Sequence, residues 1–86
     1  MTKCGIHKFK LVLGKYYNDW AYGFIPFPNN GETITLKSAT TWANKFTEVS
    51  VEGLNIDSVF DDGFTVKQES STYIGCIIEV IFEVSN

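Results

Sequence analysis

SATTWANKF, residues 38–46, decides the fold class, because it is the only stretch of the chain that reads as helix. Ala39, Trp42, Ala43 and Phe46 fall at i, i+3, i+4 and i+7, the apolar stripe of an amphipathic helix, and Ser38 before them is a good N-cap. The spacing predicts one helix over about residues 39–48. Thr40, Thr41 and Thr47 work against it, since β-branched side chains lose rotamer freedom in a helix.

Upstream the pattern changes to period two. Residues 7–13, HKFKLVL, alternate Phe9, Leu11 and Leu13 with Lys8, Lys10 and Val12, as a half-buried strand does. Asn30-Gly31 is the strongest hairpin signal in the chain, because a type I′ turn needs positive φ at both positions. A turn there sets Phe27 opposite Ile34 and Ile25 opposite Leu36. For the preceding hairpin, a three-residue loop at Tyr17-Asn18-Asp19 pairs Phe9 with Phe27, Leu11 with Ile25 and Leu13 with Gly23, which keeps the apolar residues on one face. A two-residue loop at Asn18-Asp19 would divide them between faces.

The expected core is therefore Phe9, Leu11, Ile25, Phe27, Ile34 and Leu36. Lys8, Lys10, Val12, Tyr16, Trp20, Tyr22 and Phe24 are expected together on the opposite face. Pro26 cannot donate to a ladder and Gly23 invites a bulge, and a bulge at either would reverse this parity.

Downstream, VEGLNIDSVFDDG reads as irregular or as containing a short strand. FTVKQ at 64–68 and YIGCIIEVIFEV at 73–84 read as a final hairpin joined by ESST. The last strand is apolar at 74, 76, 78, 80, 82 and 84 and also at 73, 77 and 81, which predicts a central strand buried on both faces of its middle. The sum is an α+β domain: an antiparallel sheet of about five strands in the order β-β-β-α-β-β, with one helix packed on one face. Residues 1–86 are expected to form a single domain, because a chain this short buries only about 60–65% of its unfolded surface.

Composition narrows the function classes. With 44% apolar and 15% aromatic residues the chain belongs with folded domains and not with disordered tails. Two cysteines are too few for a disulfide-stapled miniature, which points to a reduced, cytoplasmic protein. No apolar run resembles a signal-peptide core or approaches the ~20 residues of a membrane span, so no membrane role is expected.

Residues 1–46 hold six lysines against Asp19 and Glu32, a balance of +4, whereas residues 47–86 hold Lys67 against eight acids, a balance of −7. Two differently charged surfaces follow. The chain has no arginine, which removes the planar fork that reads phosphates and guanine edges.

No reactive constellation survives inspection. Cys4, His7 and Cys76 offer three ligands to a zinc ion that wants four, and Cys4 with His7 lacks an orienting partner for nucleophilic work. Asp57, Asp61, Asp62 and Glu69 fail as a calcium loop, because aligning Gly63 with the loop glycine puts Phe60 at the third ligand position. The glycines are scattered singly and form no phosphate loop. No catalytic residue, metal or cofactor is assigned.

What remains is a surface. Trp20, Tyr22 and Phe24 with Tyr16, Lys8 and Lys10 form a candidate aromatic and basic face, and Asp57, Asp61 and Asp62 form an acidic one. The expected function is a non-enzymatic protein-binding module that occludes a partner surface, in the manner of a phage or mobile-element inhibitor of a host nucleic-acid-processing enzyme. The alternative is a single-stranded nucleic-acid-binding protein that stacks bases on the aromatic and lysine face.

Overall fold

The computed structural model describes residues 4–17, 20–42, 46–70 and 72–86. They form eight strands: β1 Gly5–Val12, β2 Gly14–Tyr17, β3 Trp20–Pro26, β4 Thr33–Trp42, β5 Glu48–Ser50, β6 Leu54–Phe60, β7 Gly63–Gln68 and β8 Ile77–Ser85. A first antiparallel sheet runs β1-β8-β4-β5 and a second runs β2-β3-β7-β6. They stack face to face as a sandwich.

The expected α+β class is thereby corrected, for the described residues contain no helix. Residues 39–42 continue β4, residues 48–50 are β5, and positions 43–45 of the expected helix lie outside the described residues. The cause is a bulge. β4 pairs Leu36 with Phe82 and then Ser38 with Ile81, so Lys37 is an extra residue and the inward positions change from even to odd. Ile34 and Leu36 face inward before it, and Ala39 and Thr41 after it. That phase change erases the period-two signature and leaves Ala39 and Trp42 at a helical spacing.

A second bulge hides β6. Ile56 pairs with Val66 and Ser58 with Thr65, which makes Asp57 supernumerary and turns LNIDSVF into an irregular-looking string.

β1 and β2 are one run of chain that changes sheets at Leu13. Before it β1 pairs with β8, after it β2 pairs with β3, and Leu13 itself is fully buried. The crossing is held by Leu13 N–H donating to the Cys76 carbonyl at 3.4 Å and Gly75 N–H donating to the Leu13 carbonyl at 2.7 Å. At the opposite border β5 passes to β6 through Val51, likewise buried, whose N–H donates to the Ala39 carbonyl at 2.8 Å. Both lateral borders of the sandwich are thus crossed by the main chain at a buried apolar residue.

Three expected pairings are corrected on this basis. β1 is not the hairpin partner of β3; Phe9 and Leu11 meet the core from the first sheet while Ile25 and Phe27 meet it from the second. Asn30-Gly31 is not a type I′ hairpin, since β3 and β4 belong to different sheets and only Gly31, at φ 87°, has positive φ. The chain before it is held instead by Phe27 N–H and Asn29 N–H donating to the Asp62 and Asp61 carbonyls. β7 and β8 also lie in different sheets, although β8 is central in its sheet as expected. Its outward side is not sealed: Ile77 is 55% exposed.

The expected loop at residues 17–19 is corrected too. Tyr17 pairs with Trp20, which leaves the two-residue link Asn18-Asp19, itself outside the described residues. The register beyond it still matches the longer loop, with Gly14 opposite Tyr22, because a bulge between Lys15 and Tyr17 supplies the additional residue.

One apolar core fills the space between sheets. Leu13, Ile25, Phe64, Val66, Ile78, Val80, Phe82 and Val84 are its largest fully buried side chains, each contributing ~1.5–3 kcal/mol through burial. Phe64 from the second sheet meets Phe82 from the first edge to face at 5.0 Å between centroids. Phe27 and His7 extend this ring cluster on the Phe82 side. Every member of the expected core packs here, though Ile25 alone of the six is fully buried.

Candidate protein-binding face

The outer side of the second sheet follows from the alternation of β3. Ala21, Gly23 and Ile25 turn inward and are buried, which sends Trp20, Tyr22, Phe24 and Pro26 outward. Gly23 lies close against the first sheet, where a Cβ would press on the tip of the Leu11 side chain. The outward residues of β3 therefore keep their direction because the inward ones pack closely.

Across the sheet, Gly63 of β7 pairs with both Pro26 and Phe60. A Cβ at Gly63 would meet the Phe24 ring tip at 2.5 Å and would also strike the Ile25 carbonyl. The Phe24 ring thus reaches over Gly63 toward Phe60, and the two phenylalanines remain 41% and 50% exposed. Phe60 carries no sequence periodicity that would single it out; its place beside the Asp61-Asp62 turn is the only hint.

Charge on this side centres on Lys67, which lies opposite Tyr22 and Asn55. Its ammonium sits 4.5 Å from the centroid of the Trp20 ring and 3.5 Å from an oxygen of Asp57. At partly exposed sites such contacts contribute ~0.5–1 kcal/mol for the ring and ~0–1 kcal/mol for the ion pair, so they orient side chains more than they stabilise the fold. Asp61 and Asp62 form the exposed β6–β7 turn at the same end as Phe60. Over β3, β6, β7 and that turn the balance is three acids against one lysine.

The structure brings together Trp20, Tyr22, Phe24, Asp57 and the Asp61-Asp62 turn on the second sheet. It does not bring Lys8 and Lys10 to them. Both lysines project from β1 on the outer side of the first sheet, where Lys10 lies 5.3 Å from the Trp42 ring centroid and opposite Glu79 in register. The side chain of Tyr16 lies outside the described residues. Lys67 and Phe60 were not singled out by the sequence.

Cys4 precedes β1 near its pairing with Val84, while Cys76 lies beside Leu13 at the far end of the same ladder, so Cys4, His7 and Cys76 do not converge. Among the described residues no group of three or more His, Cys, Asp or Glu is placed to hold a metal ion, and no helix is long and apolar enough to cross a membrane. The arrangement defines an antiparallel β-sandwich with an aromatic, acid-flanked sheet face. Comparison with protein-family models, curated proteins and solved structures yields no match to this chain.

Proposed function

We propose that the chain is a non-enzymatic protein-binding module that covers a partner surface with the outer face of β3, β7 and β6. The observation that supports this is the joint exposure of Phe24 and Phe60 on a rigid sheet, with Trp20 and Tyr22 alongside and Asp57, Asp61 and Asp62 around them. Large rings on a preformed strand lose little entropy on binding, and acids beside them select a partner whose apolar patch is rimmed by basic residues. Nucleic-acid-processing enzymes carry such basic surfaces, and occluding one would inhibit the enzyme. The single lysine of this face is held by Asp57 and Trp20, which speaks against capture of phosphates.

The test is comparative. A partner isolated with the wild-type protein and then purified should bind Phe24→Ser and Phe60→Ser variants at least about tenfold more weakly, a difference of about 1.4 kcal/mol. Its affinity for a Lys8→Glu/Lys10→Glu variant should be unchanged. Saturable binding of single-stranded DNA or RNA, with affinity falling steeply as salt rises, would instead make the protein a nucleic-acid binder.

A further inference from the structure

The outer side of the first sheet is a second surface of a different character. Ile78, Val80, Phe82 and Val84 of β8 turn inward, which sends Ile77, Glu79, Ile81 and Glu83 outward. The alternation of β1 likewise sends Ile6, Lys8, Lys10 and Val12 to that side. Ile6 and Val12 are 59% and 58% exposed, and Val12 pairs with Ile77, itself open to solvent. Large apolar side chains left open on neighbouring strands mark an interaction site.

The charges on this side run in columns. β1 presents Lys8 and Lys10, β8 presents Glu79 and Glu83, and β4 follows with Lys37, which is ion-paired to Glu83. Lys10 stands opposite Glu79, and Lys8 opposite Ile81. With Glu48 of β5, the four strands of this sheet hold three lysines against three glutamates, whereas the face on the second sheet carries an acidic excess. Copies of a chain with net charge −3 repel one another, and they do so least through a face that is neutral.

We infer that the first sheet docks face to face on the first sheet of a second copy of this chain, about a two-fold axis that runs parallel to the strands between β1 and β8. That axis lays β1 of one copy over β8 of the other at the same height along the strands. Val12 then meets Ile77 of the second copy and Lys10 meets its Glu79, each contact being made twice. A lysine column over a glutamate column is the self-complementarity that a two-fold interface requires, and it fixes register more than affinity. The broad side of the sandwich measures 38 by 30 Å, room for the ~800 Å² per partner that a specific interface buries. Kd falls in the micromolar range, the weak end for an interface of that size. The outer face of the second sheet stays open on both copies, so this pairing stands independently of what that face binds.

Sedimentation equilibrium of the intact protein tests this, with the mass expected to rise from 9.7 kDa toward twice that value as concentration increases. A Val12→Ser/Ile77→Ser variant, changed only at exposed positions, should keep the fold and weaken association at least about tenfold. Lys10→Glu and Glu79→Lys should each be monomeric alone, because each sets like charges against one another across the axis. An equimolar mixture of the two should pair again. Phe24→Ser/Phe60→Ser should associate as the wild type does. A wild-type chain that stays monomeric up to millimolar concentration overturns the inference and leaves this face to a different protein. Association that both charge reversals leave intact also overturns it, as does a mixture of the two that fails to pair or a loss of association in Phe24→Ser/Phe60→Ser.

Discussion

Phe24 and Phe64 are separated along the chain but nearly adjacent across the β3–β7 ladder, and they face opposite ways. Their substitution should therefore separate stability from binding. Phe64→Ala removes a fully buried ring that meets Phe82, with an expected loss of ~3–5 kcal/mol against a total of roughly 4–13 kcal/mol for a chain of this size. Phe24→Ala should cost less than about 1.5 kcal/mol and act mainly on partner affinity. Urea unfolding of both variants checks the contrast; equal midpoints would show that the outer ring is as structural as the inner one. Gly63→Ala belongs with the first kind, since its methyl group would strike the backbone of Ile25 and the Phe24 ring, an overpacking expected to cost ~1–3 kcal/mol.

At the scale of elements, Lys37 carries the most instructive experiment. Replacing it with alanine removes an exposed ion pair to Glu83 at 3.3 Å, worth ~0–1 kcal/mol. Deleting it removes the bulge, so that Ala39 and Thr41 would turn outward and Trp42 inward, against a core shaped for small residues. The deletion should abolish the cooperative thermal transition while Lys37→Ala keeps it; a folded deletion variant would mean that β4 repairs its register elsewhere.

The same bulge marks the limit of what the sequence disclosed. Alternation told which side of a strand is apolar, and it did so correctly for Phe9, Leu11, Ile25, Phe27, Ile34 and Leu36, all of which reach the core. It could not tell which strand is the neighbour, because the same apolar pattern suits a hairpin and two strands facing each other across a sandwich. Hence Lys8 and Lys10 were grouped with Trp20, Tyr22 and Phe24 although a whole layer separates them. Where Lys37 and Asp57 interrupt the alternation, local pattern suggested a helix and a loop in place of β4 and β6. On the binding face, the β3 rings were legible from parity alone, whereas Phe60 and Lys67 needed the β6–β7–β3 register to join them.

For the whole molecule, consecutive strands separate into different layers at β1–β2, β3–β4, β5–β6 and β7–β8, so most of the pairing closes long loops. Sheets of this kind fold in milliseconds to seconds, slower than helical proteins of equal length. Stopped-flow refolding followed by Trp20 and Trp42 fluorescence should give relaxation in that range, and a microsecond phase carrying the full amplitude would contradict it. The passages at Leu13 and Val51 have a mechanical meaning as well. They act as seams along both flanks of a flattened tube, so an internal flanking strand such as β5 or β6 cannot be lent to a neighbouring molecule without drawing its continuation out of the other layer.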